Sequence, residues 1–348
     1  MIDIITLVAS DDIERLTLSN DGTSFLLLEA GRKLPAQSIT THVGGGACNT
    51  AVSLARLGWK AKVCARVGKD LNAAAVREHL QANGVEDGLV DALQATGTGV
   101  MIASHDRNAS IFVHRGANEH LSEADLASMT SIDLVYMAPL SSSSADMFPV
   151  IAERGKAAGA MVAANPGIRQ LTTRLEAITD TLPKLDLLSV NRVEAEALIP
   201  AVLPDVKPQT RVPPHDPQAP PLMTRGLRAA GVRLGLLPFL SAMRGLGPDW
   251  ISLTDGTDGA YLAGPSGVWF QPTLKAEVAG TAGAGDAFCS TLSASLAAGD
   301  APEDAMLSAA TNAASVVEHV DTTSGLLETD NLQTRRSRLV GFTPQQLA

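Results

Sequence analysis

Short apolar runs alternate with helix-like segments through the middle of this chain, and that rhythm restricts its fold more than any other feature. Leu134–Met137 precedes Ala145–Gly155, Met161–Ala164 precedes Leu171–Thr181, and Leu187–Val190 precedes Val193–Leu198. Strands that return through helices build a parallel sheet covered by helices on both faces, with binding residues gathered at the strand ends. A chain of 348 residues can bury one such core, alone or with a small appendage.

The flanking segments read differently. Ile2–Val8 is strand-like, and so few residues precede Asp3 that we expect further chain upstream of Met1. Phe25–Leu28 and Ser38–Val43, joined by a charged turn at Gly31–Lys33, and Val100–Ser104 with Ser110–His114, form a predicted small sheet apart from the core. Lys60–Gly68 alternates as a strand and Asn72–Gly84 reads as a helix. Pro200–Pro221 holds eight of the 19 prolines and is expected to be a loop without regular structure. Leu222–Leu246 has helix-forming content broken by Gly and Pro. Ile251–Thr254, Ala260–Ala263 and Val268–Phe270 resume as strands, and helices follow from Asp286 and over Ala301–Val317.

Composition removes several function classes. A net charge of −10 with no long Lys/Arg run argues against nucleic-acid or anionic-membrane partners, and aromatics at 3% leave few bases a platform to stack on. No apolar run is long enough to span a bilayer, and MIDIITLV lacks the basic start of a signal peptide. Cys48, Cys64 and Cys289 form no Cys-x-x-Cys pair; they read as reduced, buried thiols of a cytoplasmic protein. The seven histidines show no metal-ligand spacing, and neither a Walker A pattern nor a G-x-G-x-x-G is present.

Two glycine turns carry the chemistry. In GTAGAGDAFCSTLSASLAAG, Gly280–Gly299, the small residues Gly283, Ala284 and Gly285 let a phosphate approach the backbone, and the following helix points unpaired N–H groups at it. Asp286 stands at the mouth of that turn, where a carboxylate can take a proton from an attacking hydroxyl. A solvated Asp cap on a buried helix accounts for this stretch equally well. GGGACNTAVSLARLG, Gly44–Gly58, is a second glycine turn entering a helix.

The order and separation of these two stretches resemble the ribokinase-like, or PfkB, family of carbohydrate kinases, over Asp3 to about Leu327. The resemblance implies a three-layer α/β/α ribokinase-like fold with a mainly parallel central sheet and a small β-sheet lid. Residues 1–10, 44–97 and 116–335 would be the core, 11–43 and 98–115 the lid, and 200–246 a proline-rich insertion or irregular segment. It implies ATP and Mg²⁺ as cofactors and a sugar or nucleoside hydroxymethyl group as acceptor. By the same resemblance Asp286 is the general base. Asp3, Gly44, Gly45 and Asn49 line the sugar site, with Asn118 and Arg169 closing on substrate. Asn191 and Glu194 in NRVEAEAL organise Mg²⁺ through water, Thr254, Gly256 and Gly259 lie under the nucleotide, and Asn312 borders the adenine. It also allows a homodimer joined through the lid.

Three departures stand out. Gly280 occupies the place of an acid associated with a monovalent-cation site, which puts potassium activation in doubt. The first strand is short. The segment 200–246 is either a loop insertion or a reading-frame error. Plain alternatives stand beside several assignments: a strand-end acid for Asp3, a polar first-turn residue for Asn49, a solvated helix face for Glu194, a simple turn at Gly116–Asn118. The rival function is a catalytically impaired sugar- or nucleotide-binding regulatory protein of the same fold.

Overall fold

The computed structural model describes all residues except 10–11, 18–23, 28, 105–108, 127–128, 209–215, 217–218, 230 and 340. At its centre lies a seven-stranded sheet. The strands Leu134–Met137, Met161–Ala164, Leu187–Asn191 and Trp250–Thr254 run parallel, and Ala260–Gly264, Gly267–Gln271 and Gln345–Gln346 continue it antiparallel. The register sets Asn191 beside Thr254 at the carboxyl ends of adjacent strands.

Burial on both faces explains why the central strands read as unbroken apolar runs. Val162 and Ala164 turn to one side, with Phe148, Leu171, Leu198, Phe239 and Leu240 from the helices there. Ala163 and Leu187 turn to the other, against Phe288, Cys289, Leu292, Met306 and Ala309 of the helices Ala284–Ala297 and Pro302–Val316. A third cluster joins the helix Gly46–Arg56 to the parallel pair Lys62–Val67 and Glu86–Asp91, which forms its own two-stranded sheet.

Four expectations need correcting. Ile2–Val8, expected in the core, lies in a four-stranded sheet between Ala36–Val43 and Thr98–Ser104, with Ala109–His114 at the edge. Ile2 packs on the helix cluster, and Ile5, on the same face as Asp3, is buried as well, so it is the strand's pairing that places it outside the central sheet. The hairpin Glu14–Thr17 and Ser24–Leu27 is a separate two-stranded sheet. Cys64 is exposed, its Sγ donating to the Asp125 carbonyl at 3.3 Å, while Cys48 and Cys289 are buried.

The fourth correction concerns residues 200–246. Much of the proline-rich stretch lies outside the described residues, but its flanks are ordered. Ile199–Val202 and Pro221–Arg225 are helical, Leu227–Ala229 pairs with Val232–Leu234, and Leu236–Gly245 is a regular helix with Leu236, Phe239, Leu240 and Met243 in the core. Proline opens two of these helices at their first turn, where no N–H is needed. The core also holds the segment through Tyr261, fully buried against Phe270 with its hydroxyl accepting the Leu222 N–H at 3.0 Å.

Tyr261→Phe keeps the ring and orphans that N–H. We expect a loss of about 1–3 kcal/mol, the usual cost of a buried donor left unpaired, read as a lower urea midpoint at unchanged slope.

Candidate active site

The site forms where the two glycine turns meet. Asp286 is the third residue of the helix Ala284–Ala297, whose N-cap is Gly283 at φ 80° and whose first turn has no side-chain cap. The amides of Ala284, Gly285 and Asp286 are therefore left to an incoming acceptor, in the field of the helix's positive end. Only glycine fits position 283. The left-handed backbone disfavours other residues, and a β-carbon there would lie 2.8 Å from Thr322 Cβ.

The N-terminal turn supplies the other wall. Gly44 lies so close to the lid strand that a β-carbon would fall 1.8 Å from Asp3 Oδ2, and one on Gly99 would come 2.7 Å from Asp3 Oδ1. Gly45 then caps the helix Gly46–Arg56, which carries Asn49 in its first turn. Buried Asn49 donates from Nδ2 to Asp286 Oδ2 at 2.7 Å, and Thr322 Oγ1 donates to Asn49 Oδ1 at 2.8 Å.

Burial pushes the Asp286 carboxyl above the ordinary carboxylate range; the Asn49 donation opposes this and the charge of Asp3 adds to it. Burial likewise raises Asp3, against nearby positive groups that include His42. Among the described residues no Lys or Arg forms an ion pair with either carboxylate. An enclosed acid with no Lys or Arg partner is costly, and such acids cluster where they are used.

On the far side, Asn191 and Glu194 form a reciprocal capping box for the helix Arg192–Ala197. Asn191 N–H donates to Glu194 Oε2 at 2.8 Å, and Glu194 N–H donates to Asn191 Oδ1 at 3.0 Å. Helix capping thus accounts for the Asn-x-x-Glu spacing by itself. Glu194 is nonetheless buried, is raised by that burial, and has no Lys or Arg partner among the described residues.

The turn at Thr254–Gly259 is a single 3₁₀ turn, Gly256–Asp258, locked by ions that the sequence did not announce. Asp255 Oδ1 accepts from Arg192 Nε at 3.0 Å and its Oδ2 from Arg225, which also pairs with Asp258 at 3.1 Å.

Three expected residues sit differently. Asn312 is fully buried, donating to Thr291 Oγ1 at 2.8 Å and accepting the Leu327 N–H at 2.9 Å, so its amide ties two helices to the following loop. Asn118 lies in the short turn Gly116–Glu119, its carbonyl accepting from Ser144 Oγ at 2.7 Å, and Arg169 is exposed at the start of Ile168–Thr173. Neither joins the Asp3–Asn49–Asp286 group. Thr322, Gly99, Arg192 and Arg225 were missed. DTTSG at 321–325 carries a turn signal, but a turn does not say which hydroxyl it aims inward.

Gly280 leaves no space for the missing acid. A β-carbon there would lie 2.9 Å from the His319 carbonyl oxygen. Asp321, an acid of that loop, accepts at Oδ1 from the N–H groups of Thr323 and Ser324 at 2.9 and 2.7 Å. Among the described residues no cluster of three or more His, Cys, Asp or Glu is arranged to hold a metal.

With that geometry in place, the comparisons with known proteins agree. The pfkB family carbohydrate kinase model matches residues 15–212 and 236–330, so the chain belongs to that family. It is 26% identical to an ATP-dependent ribose-1-phosphate kinase of Halopiger xanaduensis, over 75% of this chain and 76% of that protein. It is 27% identical to a ribokinase of Haemophilus influenzae, over 48% of this chain and only 55% of that protein's length. A Thermotoga maritima ribokinase superposes with a TM-score of 0.69 at 19% identity, covering 97% of this chain and 96% of the other. The fold is the ribokinase fold, lid included.

Gly283→Ala tests the turn. Strain at a left-handed position costs on the order of 1–3 kcal/mol, and the contact with Thr322 adds to it. We expect a clearly lower melting temperature; an unchanged one would show that the turn tolerates a side chain.

Proposed function

We propose that the chain is an ATP-dependent phosphotransferase that phosphorylates a hydroxymethyl group of a sugar or nucleoside, with Asp286 as general base. The observation that carries this reading is the Asn49-oriented Asp286 carboxylate at an uncapped helix start, with Asp3 on the facing wall. Asp3 and the glycines at 44 and 45 receive the acceptor's hydroxyls. Asp286 takes the proton of the attacking hydroxyl as its oxygen bonds to the terminal phosphorus and ADP leaves. The amides of Ala284, Gly285 and Asp286 offset the charge developing on the transferred group.

ATP use is supported by the Halopiger relative, an ATP-dependent ribose-1-phosphate kinase, and by the uncapped helix start as an anion site. Thr254, Gly256 and Gly259 would underlie the nucleotide. Glu194, buried with no Lys or Arg partner among the described residues, suits a hydrated magnesium ion, which would supply charge neutralisation along the triphosphate. On the sugar side the Asp3 carboxylate, set against Gly44 and Gly99, suits hydrogen bonds from acceptor hydroxyls. Position 280 offers this site no acid for a monovalent cation.

A panel of D-ribose, 2-deoxy-D-ribose, D-fructose, adenosine and inosine, assayed for ADP release, tests the class. Thermal stabilisation by a panel member without turnover would favour the regulatory binder instead. Asp286→Asn is expected to lower turnover by about 10²–10⁴, the usual contribution of a general base, with ATP binding kept. The parent's turnover should fall as pH drops through the raised Asp286 value, above the usual carboxylate range, because the base works only when ionised. The stability sign is the reverse. An acid raised by folding contributes stability below its unfolded value and loses it as pH rises, so Asp286→Asn should melt no lower than the parent at neutral pH.

The lid exposes Ile39, Ile111 and Phe112 at 65, 58 and 60%, and we propose that it meets a second lid in a homodimer. Sedimentation should show twice the 36.1 kDa mass, and Phe112→Lys should shift the protein toward monomer; a concentration-independent monomer overturns this.

A further inference from the structure

The Asn49 side chain can present either its amino group or its carbonyl to Asp286, and the second choice would set two acceptors face to face at an ionised carboxylate. Its other end is held by one partner, the Thr322 hydroxyl, at 2.8 Å. Thr322 is itself buried in the loop Asp321–Leu326, which packs under Gly283 and so touches the same turn that carries the base. That loop is pinned from below. Arg56 Nη1 donates to the carbonyls of Thr323 and Leu326 at 2.7 and 2.8 Å, and its Nη2 donates to Asn83 Oδ1 at 2.9 Å.

Asn49 and Arg56 belong to one helix, Gly46–Arg56. Helix and loop are therefore joined at two points, Asn49 to Thr322 at the site and Arg56 to the loop carbonyls at the other end. We propose that Thr322 is a positioning residue for Asp286: its hydroxyl holds the Asn49 amide with the amino group on the carboxylate, and the Arg56-braced loop keeps Thr322 in place. This rests on the reading of Asp286 as the base.

Without the hydroxyl, the buried Asn49 Oδ1 is left unpaired, and the amide relieves that by turning or drifting, which weakens its donation to Asp286. The other groups facing Asp286 are Asp3 from the lid strand, Tyr136 from Leu134–Met137, and Cys289 one turn along its own helix. None of them donates to Asp286 among the described residues: Asp3 is an acid, and the Tyr136 hydroxyl lies against Thr50 and Cys289.

The test reads Asn49 directly. In the ligand-free full chain, the Asn49 side-chain amide followed by ¹H–¹⁵N NMR should titrate with Asp286, and Asp286→Asn should abolish that titration. In Thr322→Val the midpoint should move up by about half a unit or more, as expected when a hydrogen bond to the charged form is lost. Thr322→Ser should restore it. On an accepted panel substrate, Thr322→Val should lower kcat about tenfold, with KM within about twofold, the signature of an interaction made in the transition state. An unmoved midpoint in Thr322→Val overturns the proposal, whatever the panel shows. Full turnover in Asp286→Asn alongside a moved midpoint would sink the base assignment and leave the positioning bond standing. Should Thr322→Val not fold cooperatively, Thr322→Ala is read the same way.

Discussion

One hydrogen bond, from Asn49 Nδ2 to Asp286 Oδ2, joins residues 237 apart in sequence, and much of the architecture keeps its two ends together. Each end sits in the first turn of a helix entered from glycine. One turn further along both helices, Ser290 Oγ donates to Ser53 Oγ at 2.7 Å, so the pair is held by two polar rungs at matching spacing. Around them Cys48, Ala51, Val52 and Ala287 exclude water. Hydrogen bonds to a charged group contribute about 1.5–3 kcal/mol net, more than the neutral rung beside them. The bond therefore does structural and chemical work together. It lowers a carboxyl that burial and Asp3 raise, and it fixes where that carboxyl points.

Charge placement around the site follows a single pattern. Asp3, Asp286 and Glu194 are enclosed to different degrees, each is raised by burial, and none forms an ion pair with Lys or Arg among the described residues. The arginines close to the site are spent elsewhere: Arg192 and Arg225 on Asp255, Arg56 on backbone carbonyls. A fold selected for stability alone would pair or remove those acids, because unpaired buried charge is costly. Their retention suits a surface that meets hydroxyls on one side and a hydrated cation with its phosphates on the other.

The parallel half of the core was legible because its strands are apolar on both faces, which only a helix-covered sheet requires; Val162, Ala163 and Ala164 divide between two clusters as that reading demands. The glycine turns were legible because close approach leaves a compositional mark, as at Gly44 and Gly283. Ile2–Val8 misled because an apolar strand with one acid looks alike in a core and in a lid; what separates them is which strands it pairs with, a long-range fact. Residues 236–245 misled because Gly and Pro were weighed above the burial of Phe239 and Leu240. Thr322 was invisible for a different reason. A threonine in a turn is ordinary, and its meaning lies in one 2.8 Å contact made 273 residues away.

Asn191 and Glu194 show why spacing alone is weak evidence. The pattern is met in full by a capping box, a local device that any helix can use. Were that its only role, Glu194 would do equally well on an exposed helix start, where a carboxylate favours the dipole and keeps its water. It lies instead at 8% exposure, in the first helical turn after the strand end where Asn191 adjoins Thr254, with its carboxyl raised and no Lys or Arg ion pair among the described residues. Capping explains the geometry of the pair and leaves the burial unexplained. The residual cost of that burial, rather than the motif, is what points to a cation brought in with the nucleotide.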